Sequence, residues 1–79
     1  MKKMIGDMIR FHRKKAGISQ KELADLAELG KTVIFDLEKG RSNSRIDTLL
    51  KILNVLNIRL EFKSPLIEMW RKQYEKDNT

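Results

Sequence analysis

The sequence predicts an all-α fold with four core helices, followed by one C-terminal β-strand that pairs across a homodimer and by a short C-terminal helix. Three observations support this prediction. Apolar residues recur at spacings of three and four through residues 5–56. Gly17, Gly40 and Asn57 follow such segments, where a left-handed residue commonly ends a helix. From residue 58 the apolar period changes to two, which is typical of a strand.

The composition is that of one small basic domain. The chain has 79 residues, of which 41% are hydrophobic, and a formal net charge of +6, a balance that favours a polyanionic partner. No apolar run is long enough for a membrane span or a signal peptide. Cysteine is absent from the sequence, so disulfides and Cys-based zinc sites are excluded and a cytoplasmic location is expected.

The first helix is predicted over residues 4–16, with Gly17 as its stop. Basic residues crowd this segment against one acid, Asp7. Its inner side is expected to carry Ile5, Met8, Ile9, His12 and Ala16. We expect His12 to be packed and partly buried, because no second histidine or cysteine is available to complete a metal site.

The second and third helices are predicted over residues 20–27 and 31–39. Ser19 and Glu22 have the spacing of a capping box, which marks the start of the second helix. Residues 28–30 form a tight connection to the third helix. That helix is expected to direct two sets of side chains, with Val33, Ile34 and Leu37 facing the core and Lys31, Thr32, Phe35 and Asp36 facing outward.

The fourth helix is predicted over residues 45–56. Ser44 and Asp47 have the spacing of a second capping box. The apolar stripe expected to face the core consists of Ile46, Leu49, Leu50, Leu53 and Leu56.

Residues 58–79 are predicted to form a dimerisation and partner-binding tail, separate from the domain over residues 1–57. Ile58, Leu60 and Phe62 alternate with charged residues, and because a lone strand cannot satisfy its own backbone we expect it to pair with the same strand of a second copy. The alternative is an exposed tail that alternates by chance. After Ser64-Pro65, a last helix over residues 66–76 would carry Leu66, Met69, Trp70 and Tyr74, which either dock a partner or cover the dimer.

Two short helices joined by a tight connection, the second with an exposed polar face, have the arrangement of a helix-turn-helix, whose second helix fits the DNA major groove. The residues Ser19–Ala24, Ile34, Leu37–Gly40 and Thr48–Leu53 resemble the Xre-type, lambda-repressor-like helix-turn-helix family over about residues 5–57. Residues 36–40 and 45–50, with the predicted strand, are similar to a narrower group, the HipB-like antitoxins of toxin–antitoxin pairs.

This resemblance implies roles for individual residues. Gln20 would contact a phosphate and an outer base, and Arg13 and Glu38 would form a partly buried structural ion pair. Lys31, Thr32 and Asp36 would face the groove. Phe35 and Asp36 depart from the residues that the family usually has on a groove-facing surface, and Phe35 could touch a thymine methyl group. The residues expected to hold the backbone beyond the third helix are Lys39, Arg41 and Asn43.

The sequence departs from the family pattern within and beside the turn. Glu28 stands where the family has a left-handed glycine, at an expected cost of about 1 kcal/mol. Gly30 replaces the usual Ser or Thr at the start of the third helix.

The predicted function is sequence-specific binding of double-stranded DNA at an inverted-repeat operator by a homodimeric, nucleoid-associated repressor, the autoregulating antitoxin of a HipA-like toxin kinase. Two alternatives remain: a free-standing phage-type or regulatory repressor, and a basic RNA-binding or scaffold module. No enzymatic activity, cofactor or metal is expected, because Ser19 is accounted for as a helix cap and the carboxylates are scattered.

Overall fold

The computed structural model describes residues 1–41 and 44–77. Its helices are α1 (Lys2–Lys15), α2 (Gln20–Leu26), α3 (Lys31–Glu38), α4 (Ile46–Val55) and α5 (Ile67–Asp77). The five predicted helices are confirmed. Across the described ranges, none of the helices combines the length and the apolar character that crossing a membrane requires.

The core lies between the first four helices. Ile9 of α1, Leu23 of α2, Ile34 of α3 and Ile52 of α4 are completely buried at its centre. Ala24 and Ala27 are small residues of the same core, and they allow α2 to approach its neighbours closely.

The crossing of α1 over α3 depends on Gly6. A methyl group at this position would overlap the carbonyl oxygen of Leu37 and lie 2.9 Å from that of Glu38. At the end of α3, Gly40 has a φ of +75°, and a methyl group there would lie 3.1 Å from the Cα of Lys3. The two glycines therefore hold the first turns of α1 against the last turn of α3.

The turn between α2 and α3 has the predicted chemistry. The Ser19 hydroxyl accepts from the Glu22 amide at 3.0 Å, and the Glu22 carboxylate accepts from the Ser19 amide at 2.9 Å. The capping box is thus confirmed. Glu28 has a φ of +58°, and the following amide, of Leu29, donates to the carbonyl of Ala24 at 2.8 Å. This closes the helix in the manner of a glycine cap, as expected.

The predicted strand over residues 58–63 is not supported, since residues 1–41 and 44–77 contain no strand in the single chain. Asn57 has a φ of +58°, and the amide of Ile58 donates to the carbonyl of Leu53 at 2.9 Å. Ile58 is therefore the last part of the α4 cap and packs on the core. Leu60 and Phe62 are exposed in a segment that lacks regular secondary structure.

Three details of packing and capping also differ from expectation. The N-cap of α4 is Arg45, which makes no side-chain cap bond, so the predicted capping box of Ser44 and Asp47 is not formed. The carboxylate of Asp47 instead accepts a hydrogen bond from the amide of Thr48 at 2.9 Å. His12 is exposed rather than partly buried, and its Nδ1 donates to its own helix at the Met8 carbonyl, 2.7 Å away. In α4 the stripe is rotated relative to the prediction, since Ile52 is buried while Ile46 and Leu50 are exposed.

Candidate nucleic-acid interface

The outward face of α3 is accessible, as the sequence predicts. Lys31, Thr32 and Phe35 are exposed there, while Asp36 is half-buried. Ile34 and Leu37 anchor the opposite face in the core. A helix of 8 residues held in this way can enter a major groove and present its exposed side chains to base edges.

Arg13 and Glu38 form the predicted structural ion pair. The guanidinium donates twice to the carboxylate, from Nε to Oε2 at 2.7 Å and from Nη2 to Oε1 at 3.1 Å. Its Nη1 also donates to the carbonyl of Ile18 at 3.0 Å. The hydrogen bond to Glu38 raises the pKa of Arg13 above its usual value, against the opposing effect of burial.

Gln20, at the start of α2, is attached to this pair. Its Nε2 donates to Oε1 of Glu38 at 3.1 Å, and the side chain is half-buried. A carboxylate only accepts hydrogen bonds, so the contact fixes which end of the amide faces Glu38. One N–H and the carbonyl oxygen of Gln20 remain for a phosphate or a base edge.

The end of α3 carries further cationic groups. The ammonium of Lys39 lies 5.6 Å from the centre of the Phe35 ring, in a cation–π contact. The amide of Arg41 donates to the carbonyl of Asp36 at 3.0 Å, which keeps Arg41 beside the last turn of α3, and its side chain is exposed. Asn43, the third residue predicted to hold the DNA backbone, lies outside the described residues.

A polar depression of about 290 Å³ joins α1, α2 and α3. It brings together Gln20, Phe35 and Lys39, three of the predicted DNA-contacting residues, with the Arg13–Glu38 pair at its base. The other residues that line it come from α1 and were not predicted to take part: Lys3, Asp7 and Arg10. Their spacing of four and three along one helix could have identified them as neighbours of one another, but not of α3.

The residues predicted for dimerisation and partner binding do not form part of the core, with the exception of Ile58. Leu60 and Phe62 are exposed, and within the described helix Ile67–Asp77 no residue is buried. Leu66 and Met69 are also exposed, as are Trp70 and Tyr74, whose rings lie 5.1 Å apart. The structure therefore leaves an apolar surface on this tail.

Among residues 1–41 and 44–77, no three histidine or carboxylate side chains lie close enough together to hold a metal ion.

Comparison with known proteins agrees with this geometry. The chain matches a family model described as Helix-turn-helix over residues 9–63. It is 34% identical over 61 residues to the "Uncharacterized HTH-type transcriptional regulator y4mF" of Sinorhizobium fredii, a match that covers 77% of this chain and 80% of that protein. It is 44% identical over 41 residues to an "Uncharacterized HTH-type transcriptional regulator" of Haemophilus influenzae, covering 52% of this chain and 42% of that protein.

Proposed function

This chain belongs to the helix-turn-helix family, and from that premise we propose that it is a transcriptional repressor that binds double-stranded DNA at an inverted-repeat operator. The observation that carries the proposal is the exposed face of α3, with Lys31, Thr32 and Phe35 held outward beside the anchored amide of Gln20. Two relatives bear the name of HTH-type transcriptional regulators, and the net charge of +6 favours a polyanion.

The proposal is tested by gel shift with the upstream region of the gene and an unrelated duplex, across a salt series. We expect the upstream fragment to be retained selectively, and binding to weaken steeply with salt because phosphate contacts release counterions. Equal, weak retention of every duplex would contradict sequence-specific recognition. Comparable affinity for single-stranded RNA would favour the RNA-binding alternative.

Lys31 and Thr32 are proposed to read bases. Replacing both with alanine should remove most of the preference for the upstream fragment, because each side chain that reads a base contributes about 1–3 kcal/mol of discrimination, while much of the non-specific binding remains. Lys51→Ala on α4 is the matched control, since it also removes one exposed positive charge. An unchanged preference in the double variant would reject the assignment.

We further propose that two copies associate through the apolar segment that follows α4. Leu50 of α4 and Leu60 and Phe62 of the segment are large apolar side chains exposed in the single chain, which supports a covering partner. A second copy would place two α3 helices about one DNA turn apart, roughly 34 Å, and so allow an inverted repeat to be bound.

An antitoxin role is the narrower proposal. It rests on the exposure of Leu66, Met69, Trp70 and Tyr74, because aromatic side chains on an otherwise charged helix are typical interface anchors. The partner would be a HipA-like toxin kinase. Co-expression with the product of a neighbouring gene, followed by purification, should recover a complex that Trp70→Ala weakens. If no neighbouring product is retained, the free-standing repressor is favoured instead.

A further inference from the structure

Two cationic side chains in the depression between α1, α2 and α3 have no partner of opposite charge among the described residues. Within residues 1–41 and 44–77, neither Arg10 nor Lys39 forms an ion pair. Lys3, a third cation of the same depression, is paired with Asp7 at 3.0 Å, and both side chains remain largely exposed. An anion entering the depression would therefore meet positive charge that nothing in the described chain neutralises.

The backbone holds these groups in place. Gly6 allows α1 to pack directly against the backbone carbonyl groups at the end of α3, and Gly40 packs against the backbone of Lys3. The buried pair of Arg13 and Glu38 ties the middle of α1 to the end of α3. Because the scaffold is built from backbone contacts and a buried ion pair, the position of α1 beside α3 is not set by flexible surface chains.

The depression is continuous with the face proposed to contact DNA. Gln20, Phe35 and Lys39 belong to both. Four basic and two acidic side chains line it, so it has an excess of positive charge even with the buried pair included. Its lining is polar and its form concave, which suits a compact oxyanion with a hydration shell.

We propose that Lys3, Arg10 and Lys39 bind a backbone phosphate of duplex DNA, so that α1 forms a second contact surface beside α3. This inference rests on the proposed function, since it extends the surface of the same complex. The contact carries no base information, and it positions the duplex relative to the recognition helix. Asp7 opposes the phosphate in this arrangement and also holds Lys3 through its ion pair.

The test uses the full-length protein with the upstream fragment and an unrelated duplex, both titrated between 50 and 200 mM salt. Arg10→Gln should weaken binding to both duplexes equally. Because each of the two copies on the operator would lose one phosphate contact, it should also reduce the slope of log affinity against log salt by about 1.8, which is ~12-fold less loss of affinity over this range. Lys51→Gln, on α4 and outside the depression, removes the same charge and should leave the slope nearly unchanged.

Asp7→Asn provides a test that misfolding cannot imitate, because it predicts a gain. Removing the carboxylate should raise the affinity for both duplexes several-fold at 50 mM salt. Asp25→Asn is the matched control: Asp25 is paired with Lys21 at 2.9 Å across the same spacing of four residues, but it does not line the depression. It should raise the affinity less than Asp7→Asn does.

The outcomes separate this inference from the proposed function. If the wild-type protein binds the upstream fragment selectively while Arg10→Gln and Asp7→Asn behave as their controls, α1 makes no phosphate contact and the repressor function stands. If the wild-type protein binds no duplex, both the phosphate contact and the repressor function are rejected. Saturable binding of inorganic phosphate that Arg10→Gln abolishes without changing duplex binding would assign the depression to a free anion and overturn the inference.

Discussion

Arg13 and Glu38 are the charged residues buried in the core, with 8% and 4% of their surface exposed. Their desolvation is offset by two mutual hydrogen bonds, by the carbonyl of Ile18 and by the amide of Gln20. Because the pKa of Arg13 is raised in the folded state, this stabilisation is fully present below the unfolded-state value and is lost only as the pH rises through the folded one. It is therefore constant through neutral pH. Losing one partner would cost about 3–5 kcal/mol.

Glu28 adopts a backbone conformation that a residue with a side chain disfavours. Its φ of +58° is the conformation that glycine adopts without strain, and it costs an L-residue about 1–2 kcal/mol. We predict that Glu28→Gly raises the free energy of unfolding by about 1 kcal/mol, part of the strain relief being lost to the greater entropy of unfolded glycine. For a chain of this size, thermal denaturation should show a midpoint about 4–8 °C higher.

The control for this prediction is Glu28→Ala, which removes the same carboxylate but retains the Cβ. It should leave the midpoint near that of the wild type. An equal rise in both variants would mean that charge, rather than backbone strain, limits the stability of the turn.

For the helices, a prediction was confirmed where the interaction behind it joins residues that are close in sequence. The box of Ser19 and Glu22 forms because both bonds lie within one helical turn. The similar spacing of Ser44 and Asp47 does not produce a box, because α4 begins at Ile46 and Asp47 bonds the next amide. Periodicity identified five helices, but it could not identify Gly6, whose role depends on a neighbour about thirty residues away in the sequence. In the candidate site, the exposed face of α3 and the Arg13–Glu38 pair to α1 were predicted, but the depression that Lys3 and Arg10 share with Lys39 was not.

Gly6 tests how closely α1 and α3 must approach. In an isolated helix Gly→Ala would stabilise by about 1 kcal/mol. In this chain the added methyl group would meet backbone carbonyls, which cannot rotate away, and forcing the helices apart costs about 1–3 kcal/mol. We therefore predict that Gly6→Ala lowers the free energy of unfolding in urea denaturation.

Asn54→Ala, at an exposed position of α4, measures the gain in helix propensity without the overlap and should not destabilise the protein. Stabilisation by Gly6→Ala would show that separating the two helices costs less than the gain in helix propensity of about 1 kcal/mol.

For the whole molecule, the buried apolar residues all lie between Ile9 and Leu53, whereas large exposed apolar side chains occur on α1 to α4 as well as beyond Ile58. The cluster around Ile9, Leu23, Ile34 and Ile52 accounts for α1 to α4 and is joined by Ile58. Beyond Ile58, the large apolar side chains as far as Tyr74 remain mostly exposed. The patterns of residues 58–74 predicted these side chains as contact residues, and in the described part of the chain they lie mostly at the surface. The dimer proposal and the docking proposal each assign a partner that would cover these exposed apolar side chains.

The proposed dimer interface can be tested at Leu60. Leu60 is 45% exposed in the single chain, and its burial against a second copy would place a charge introduced at that position in an apolar interface. Leu60→Asp should therefore dissociate the dimer, because an unpaired carboxylate is costly to desolvate. Sedimentation equilibrium should give the mass of one chain for this variant and of two for the wild type.

Leu26→Asp is the matched control: Leu26 is a leucine of α2 that is 62% exposed, outside the proposed interface, and its replacement should leave the dimer intact. A Leu60→Asp variant that still sediments as a dimer would exclude the segment after α4 from the interface. Association would then have to use another exposed apolar surface, such as that of α5.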